Sequence, residues 1–358
     1  MKDLNHKFIG ACVEGNFLWY VDSKTMMLCK IELLTKQVLF ERVLDSGHCF
    51  EARRVFAEKN TMLIMSDEVP EVVVYDRTTG NCEYYRENKK WQLNKWNKGV
   101  RDCIKYNDMY VFVSIYAQNG ISLFDSKNNS FRKINVWFCK DDKIINDVLL
   151  FENTMYFLID NTIIYELKMS DFSMQKYVLP IEGKFGALSF DGDYFWLRER
   201  KGYNVYRVAK NFSQFIRIEL LDATMEEKNV VDGKLIKTPD YLCVLPVKTE
   251  TITLINNKKL MQERVDTDEL AHSKSNVNGT FSIGNMEWCE KILLFPWASE
   301  KLVELDLKKK KAYNQTIYMD FESEKHREEL IFETTKCMRE NKIYGLKDLL
   351  DKMSETVC

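Results

Sequence analysis

The sequence predicts an all-β fold of about seven repeated four-stranded units, followed by a short two-helix tail. Three observations predict it: apolar runs of four or five residues bounded by Asp, Asn, Gly and Pro, the pairing of those runs across tight turns, and the return of the pair along most of the chain. The stretch from Asn60 to Tyr85 shows the pattern. Met62-Leu63-Ile64-Met65 and Val72-Val73-Val74-Tyr75 are two strands, and Cys82 to Tyr85 begins a third. Between the last two, Asp76 to Gly80 suits a hairpin, because Asp bonds to its own turn backbone and Gly accepts positive φ.

The same pairs recur in order. Phe17 to Tyr20 precedes Met27 to Ile31, Met109 to Val113 precedes Ile121 to Asp125, and Met155 to Ile159 precedes Ile163 to Tyr165. Tyr194 to Leu197 precedes Tyr203 to Tyr206, Tyr241 to Leu245 precedes Ile252 to Ile255, and Ile292 to Phe295 precedes Leu302 to Asp306. Positions after the second strand (Leu33, Asp76, Asp125, Leu167, Val208, Asn256, Asp306) return every 41 to 50 residues or roughly so, the period of a propeller blade. A further short strand lies ahead of each pair, at Ile9 to Val13, Arg54 to Phe56, Cys103 to Tyr106, Val148 to Leu150, Ala187 to Phe190, Leu235 to Ile236 and Phe281 to Ile283. A fourth follows, clearest at Val38 to Phe40, Phe131 to Ile134 and Phe215 to Ile218.

A lone unit of this kind cannot bury both faces, so the units stack radially and close into a ring. On these repeats the chain resembles the β-propeller superfamily over roughly residues 8 to 320, without the Trp-Asp signature of WD40 repeats or the double glycine of kelch repeats. The expected domains are a β-propeller of about seven four-stranded blades over residues 1–320 and a helical appendage over 321–358. Both end units hold four strands, so whole blades are expected to meet edge to edge at closure. In the tail, Leu330, Thr334, Cys337 and Met338, then Leu346, Leu349, Leu350 and Met353, keep helical spacing. These helices cap an exposed edge or face, or dock a partner or a second copy.

Hydrophobic residues make up 45% of the chain and aromatics 13%, enough for a large core. A net charge of -2 supplies no basic field, which argues against nucleic acid or an anionic membrane as partner. The N-terminus lacks an apolar signal segment and no run reaches membrane-spanning length, so a soluble, cytoplasmic protein is expected. The ten cysteines stand singly, with no C-x-x-C pair, and read as reduced small hydrophobes. No cofactor or metal site is expected, and nucleotide, hydrolase and zinc-protease motifs are absent.

If each blade runs from inner to outer strand, the connections between blades and the turns between second and third strands share one upper face, where function is expected. His48 and Glu51 lie where the second unit begins, with Arg53 and Arg54 just inside it; Arg101-Asp102 and Asn146-Asp147 hold the corresponding places in the third and fourth units. These pairs either ring the channel mouth and bind an anionic or polyhydroxyl ligand, or link neighbouring blades structurally. Trp91 and Trp96, among Lys89, Lys90, Lys95 and Lys98, form either a stacking patch or satellite core. Tyr116, Arg198, Arg200 and Trp297 fall in second-to-third-strand turns, the arginines in a solvated cluster or an anion site. Two functions follow. One is a non-catalytic recognition module for a protein, peptide or glycan, monomeric or weakly self-associating through the C-terminal helices. The other is a lyase, hydrolase or cyclase using His48, Glu51, Arg101 and Asp147 at the channel mouth.

Overall fold

A computed structural model describes residues 8–22, 27–43, 52–88, 90–94, 98–132, 134, 136, 138–139, 143–200, 204–220, 234–245, 252–267, 285–288, 290–294, 301–317, 325 and 329. They form a seven-bladed β-propeller. Blades 1 to 7 occupy residues 8–43, 52–86, 100–132, 145–178, 185–219, 235–264 and 285–316. Each is an antiparallel meander of four consecutive strands, and blade 7 gains a fifth.

The continuous apolar runs have a direct cause in this architecture. Second and third strands lie between two neighbouring blades, so alternate residues pack to opposite sides and both sides are core. In Thr61–Ser66, Met62 and Ile64 pack with Trp19 and Val21 of blade 1, whereas Leu63 and Met65 pack with Tyr110 and Phe112 of blade 3. Burying one such side chain contributes about 2 kcal/mol. The pattern repeats around the ring, and the cluster of Leu18, Tyr20 and Ile31 with Leu293 and Leu302 joins blade 1 to blade 7. Outer strands face a neighbour only in part: in Phe215–Glu219 only Ile218 is buried.

Turn chemistry follows the sequence. Asp76 Oδ1 accepts N–H bonds from Thr78 at 2.7 Å and Thr79 at 2.9 Å, and Gly80 takes φ 75. The first strand of blade 7 is Asn285–Trp288, four residues later than the Phe281–Ile283 run suggested. Residues 281–284 lie outside the described residues; the register is fixed by pairing of Asn285–Trp288 with Lys291–Leu294, ahead of which Glu290 takes φ 63.

Closure joins whole blades. Lys36 in blade 1 donates Nζ to Glu304 of blade 7, whose other oxygen accepts from Lys291 Nζ at 2.8 Å. Asp266–Thr267, from the connection before blade 7, pairs parallel with Lys311–Thr316 and covers that blade's outer edge. Cys12, Cys29, Cys82, Cys103, Cys139 and Cys243 are free thiols. Among the described residues no helix is long and apolar enough to cross a membrane. The helical appendage assigned to residues 321–358 lies outside the described residues, apart from 325 and 329.

Candidate functional site

The inner strands of blades 1 to 5 share one irregularity near their upper ends. In Phe8–Glu14, Ala52–Ala57, Val100–Tyr106, Ile145–Phe151 and Phe185–Phe190, pairing with the second strand skips Gly10, Arg53, Arg101, Asn146 and Gly186 respectively. Each skip is a β-bulge, which inserts one extra residue and re-aims the chain. In blade 1 the bulge needs glycine: Gly10 sits at φ +57, and a Cβ there would meet the Arg54 backbone nitrogen at 2.9 Å.

The bulges set polar residues of successive blades against one another. Arg54 donates Nε to Asp102 Oδ1 at 2.8 Å and Nη2 to Oδ2 at 3.0 Å, a two-bond clamp from blade 2 to blade 3. Arg101 donates to the Asn146 carbonyl, from blade 3 to blade 4. Asp147 accepts from its neighbour Val148 N–H at 3.0 Å and from Leu188 N–H of blade 5 at 2.7 Å. Arg200 of blade 5 reaches back to Asn146 Oδ1 at 3.5 Å. Arg198, 5% exposed, donates to the Leu245 carbonyl at the edge of blade 6.

Lys234 completes the cluster. It immediately precedes the inner strand of blade 6, Leu235–Lys237, with its carbonyl pinned by the Leu245 N–H at 3.1 Å. It interacts electrostatically with Arg53, Arg54, Asp102 and Asp147, so groups from blades 2, 3, 4 and 6 converge on the channel mouth. Among the described residues, the side chains of Arg53 and Lys234 have no hydrogen-bonded or ion-paired partner.

The titration behaviour reflects this inequality. Burial alone pushes the Asp102 carboxyl up, but Arg54 and Arg53 outweigh it and hold the group well below the usual carboxylate range. Arg54 is raised by Asp102 against the effect of burial. Arg53 is lowered, chiefly by burial, with Asp102 partly compensating. Burial and the neighbouring Arg54 and Arg53 bring Lys234 down to about 8, against the pull of Asp102 and Asp147. Asp147 is raised by burial, with Arg101 and the Leu188 N–H opposing.

Thus Arg53, Arg54, Arg101, Asp102, Asn146 and Asp147 do meet at the channel mouth, and Arg54–Asp102, Arg101–Asn146 and Asp147–Leu188 also link neighbouring blades. Other candidates stand elsewhere. Arg198 is no solvated turn residue, because its guanidinium is drawn inward to a carbonyl that needs a donor. Trp91 is 6% exposed among Val72, Val100, Tyr110 and Phe112, taking the core position rather than offering a face for stacking. Tyr116 is half-buried on the upper face beside the short turn Ala117–Asn119. His48, Glu51, Trp96 and Trp297 lie outside the described residues. Lys234 escaped the sequence reading, although its place just before an inner strand matches that of the other charged entries.

A second concavity lies on the rim. A groove of 810 Å³ runs between the outer strands of blades 2 and 3, lined by Tyr84, Arg86, Asn129, Phe131, Arg132 and Ile134. Arg132 is tied by Nε to Asp125 at 3.0 Å, so its charge is compensated, unlike that at the mouth.

No protein-family model matches the chain, and no protein of curated function matches it. Among solved structures it is similar to PorZ, a surface component of the type-IX secretion system of Porphyromonas gingivalis, at 14% identity and TM-score 0.59, covering 88% of this chain and 39% of that one. It is similar to YCF48 bound to a D1 peptide, at 9% identity and TM-score 0.59, covering 82% and 90%. The dihydro-heme d1 dehydrogenase NirN, in complex with DHE, gives 10% identity and TM-score 0.54, covering 86% and 66%. At these identities the likeness establishes the fold: the chain is a β-propeller.

Proposed function

We propose that this chain is a recognition propeller that takes an acidic segment of a protein or peptide on its upper face. The observation that carries the reading is the inequality at the mouth, where Arg54, Arg101, Asp102 and Asp147 are engaged between blades while, among the described residues, Arg53 and Lys234 have no hydrogen-bonded partner. Both side chains are half-buried; withdrawing a charge from water without a partner is costly, and two such cations side by side favour an anion between them. That YCF48 binds a D1 peptide on the same fold is consistent with a peptide ligand. A glycan is less well supported, because Trp91 lies in the core. Free thiols fit a reducing compartment. Helices over residues 321–358 remain candidates for capping the ring or for weak self-association.

The alternative, a propeller enzyme acting with His48, Glu51, Arg101 and Asp147, draws support from Lys234 and Asp147, whose titration is driven in converging directions. Against it, both Asp147 oxygens accept backbone N–H groups, leaving a poor proton acceptor. The test is fluorescence anisotropy of the full chain with a glutamate-rich peptide and its glutamine counterpart. The acidic peptide is expected to bind alone, and to lose about tenfold affinity on Arg53→Gln. Equal binding of both peptides, or no effect of the substitution, would contradict the reading.

A further inference from the structure

We propose that the channel mouth holds a doubly charged anionic group of the phosphate class between Arg53 and Lys234. This deepens the recognition reading and rests on it. Among the described residues, Arg53, Arg54, Arg101 and Lys234 face Asp102 and Asp147; Asp67, which also acts on Arg53, is already ion-paired to Lys98 at 2.6 Å, so these four cations exceed the carboxylates left to them by two.

The excess is localised. Arg54 spends two donors on Asp102, and Arg101 donates to the Asn146 carbonyl. Asp147 is filled by the Val148 and Leu188 N–H groups. What remains is one planar guanidinium, in the inner strand of blade 2, and one ammonium, on the residue that leads into the inner strand of blade 6. A guanidinium offers a fork of N–H donors and an ammonium a compact charge with three. A phosphate group answers both with two charges and three acceptor oxygens, whereas a lone carboxylate neutralises only one of the two. The same head group is carried by a free phosphorylated small molecule and by a phosphorylated side chain of a partner.

The experiment is isothermal titration of the full chain with inorganic phosphate at about pH 7.5, where phosphate is mostly dianionic and Lys234 largely protonated, with acetate at matched ionic strength as the monoanion. Saturable one-site binding of phosphate and none of acetate is expected, weakened at least about tenfold by Arg53→Gln and by Lys234→Met. Lys176→Met, on the exposed outer strand of blade 4, is expected to bind as the parent does. Should either neutral variant fail to fold, Arg53→Lys keeps the charge, removes the fork, and is expected to weaken binding less. No saturable binding, equal binding of acetate, or parent-like affinity in the mouth variants would overturn the proposal. If a glutamate peptide binds through Arg53 but phosphate neither binds nor competes, the dianion is excluded and recognition stands; if neither binds, both fall. Tighter binding of a phosphoserine peptide than of inorganic phosphate would assign the head group to a partner side chain, and equal affinity to a free small molecule.

Discussion

At the scale of single residues, Asp102 and Lys234 illustrate opposite uses of charge. Asp102 completes a clamp, so Asp102→Ala removes both bonds of that clamp from the Arg54 guanidinium and is expected to cost about 3 kcal/mol in urea unfolding. Because its folded pKa is depressed, its contribution is present above the ordinary carboxylate range and is lost as pH falls through and below it. Lys234 behaves inversely. It is lowered to about 8 by burial and by Arg54 and Arg53 of blade 2, with Asp102 of blade 3 and Asp147 of blade 4 opposing. The unfolded chain therefore holds the proton more tightly, and the cost of folding a charged Lys234 is present below pH 8 and relieved as pH rises toward the ordinary lysine range. Lys234→Met is accordingly expected to stabilise the protein near neutral pH by about 1–2 kcal/mol, an advantage that fades in alkaline solution. Destabilisation by that substitution would mean that Lys234 has a structural partner. Asp102 was legible in the sequence because a polar pair with at least one charge recurs at the entry of blades 2, 3 and 4. Lys234 was not, since it stands at the end of a long polar connection where one lysine has no periodicity to mark it.

At the scale of elements, the inner strand carries two instructions, one visible in sequence and one not. Apolar alternation set the strands, and Asp and Gly set the turns, as at Asp76 to Gly80. The bulge is silent, because Arg53, Arg101 and Asn146 obey no shared residue preference, and of the two bulge glycines, Gly10 and Gly186, only Gly10 takes a positive φ. Gly10→Ala places a Cβ against the Arg54 backbone at φ +57. It is expected to destabilise by about 2 kcal/mol and, unlike a core cavity, to weaken anion binding through the displaced Arg53–Arg54 segment. Thermal unfolding paired with phosphate titration separates the two effects. Trp91 shows how local chemistry misleads: lysines around an indole suggest an exposed patch, but the interface between blades 2 and 3 had room for a large ring and tertiary packing prevailed.

At the scale of the whole molecule, seven similar units explain why the architecture was readable and the function was not. Each blade contributes a strand pattern strong enough to recognise alone, whereas the mouth takes one or two residues from each of blades 2, 3, 4, 5 and 6 and becomes a site only when the ring closes. Closure rests on the apolar cluster between blades 1 and 7 and on Glu304, which burial would raise but which Lys291 and Lys36 hold below its ordinary pKa. Glu304→Ala leaves two cations at this seam, and is expected to speed amide exchange in blades 1 and 7 before blade 4, by hydrogen-exchange mass spectrometry. Uniform acceleration would place the seam's contribution elsewhere. The most direct test of an anion-receiving mouth is the pKa of Lys234 itself, followed by NMR of the isotopically labelled side chain with and without phosphate. The account predicts titration near pH 8 alone, moving upward as phosphate saturates the site. An ordinary lysine pKa, or a depressed one that phosphate leaves in place, would contradict it.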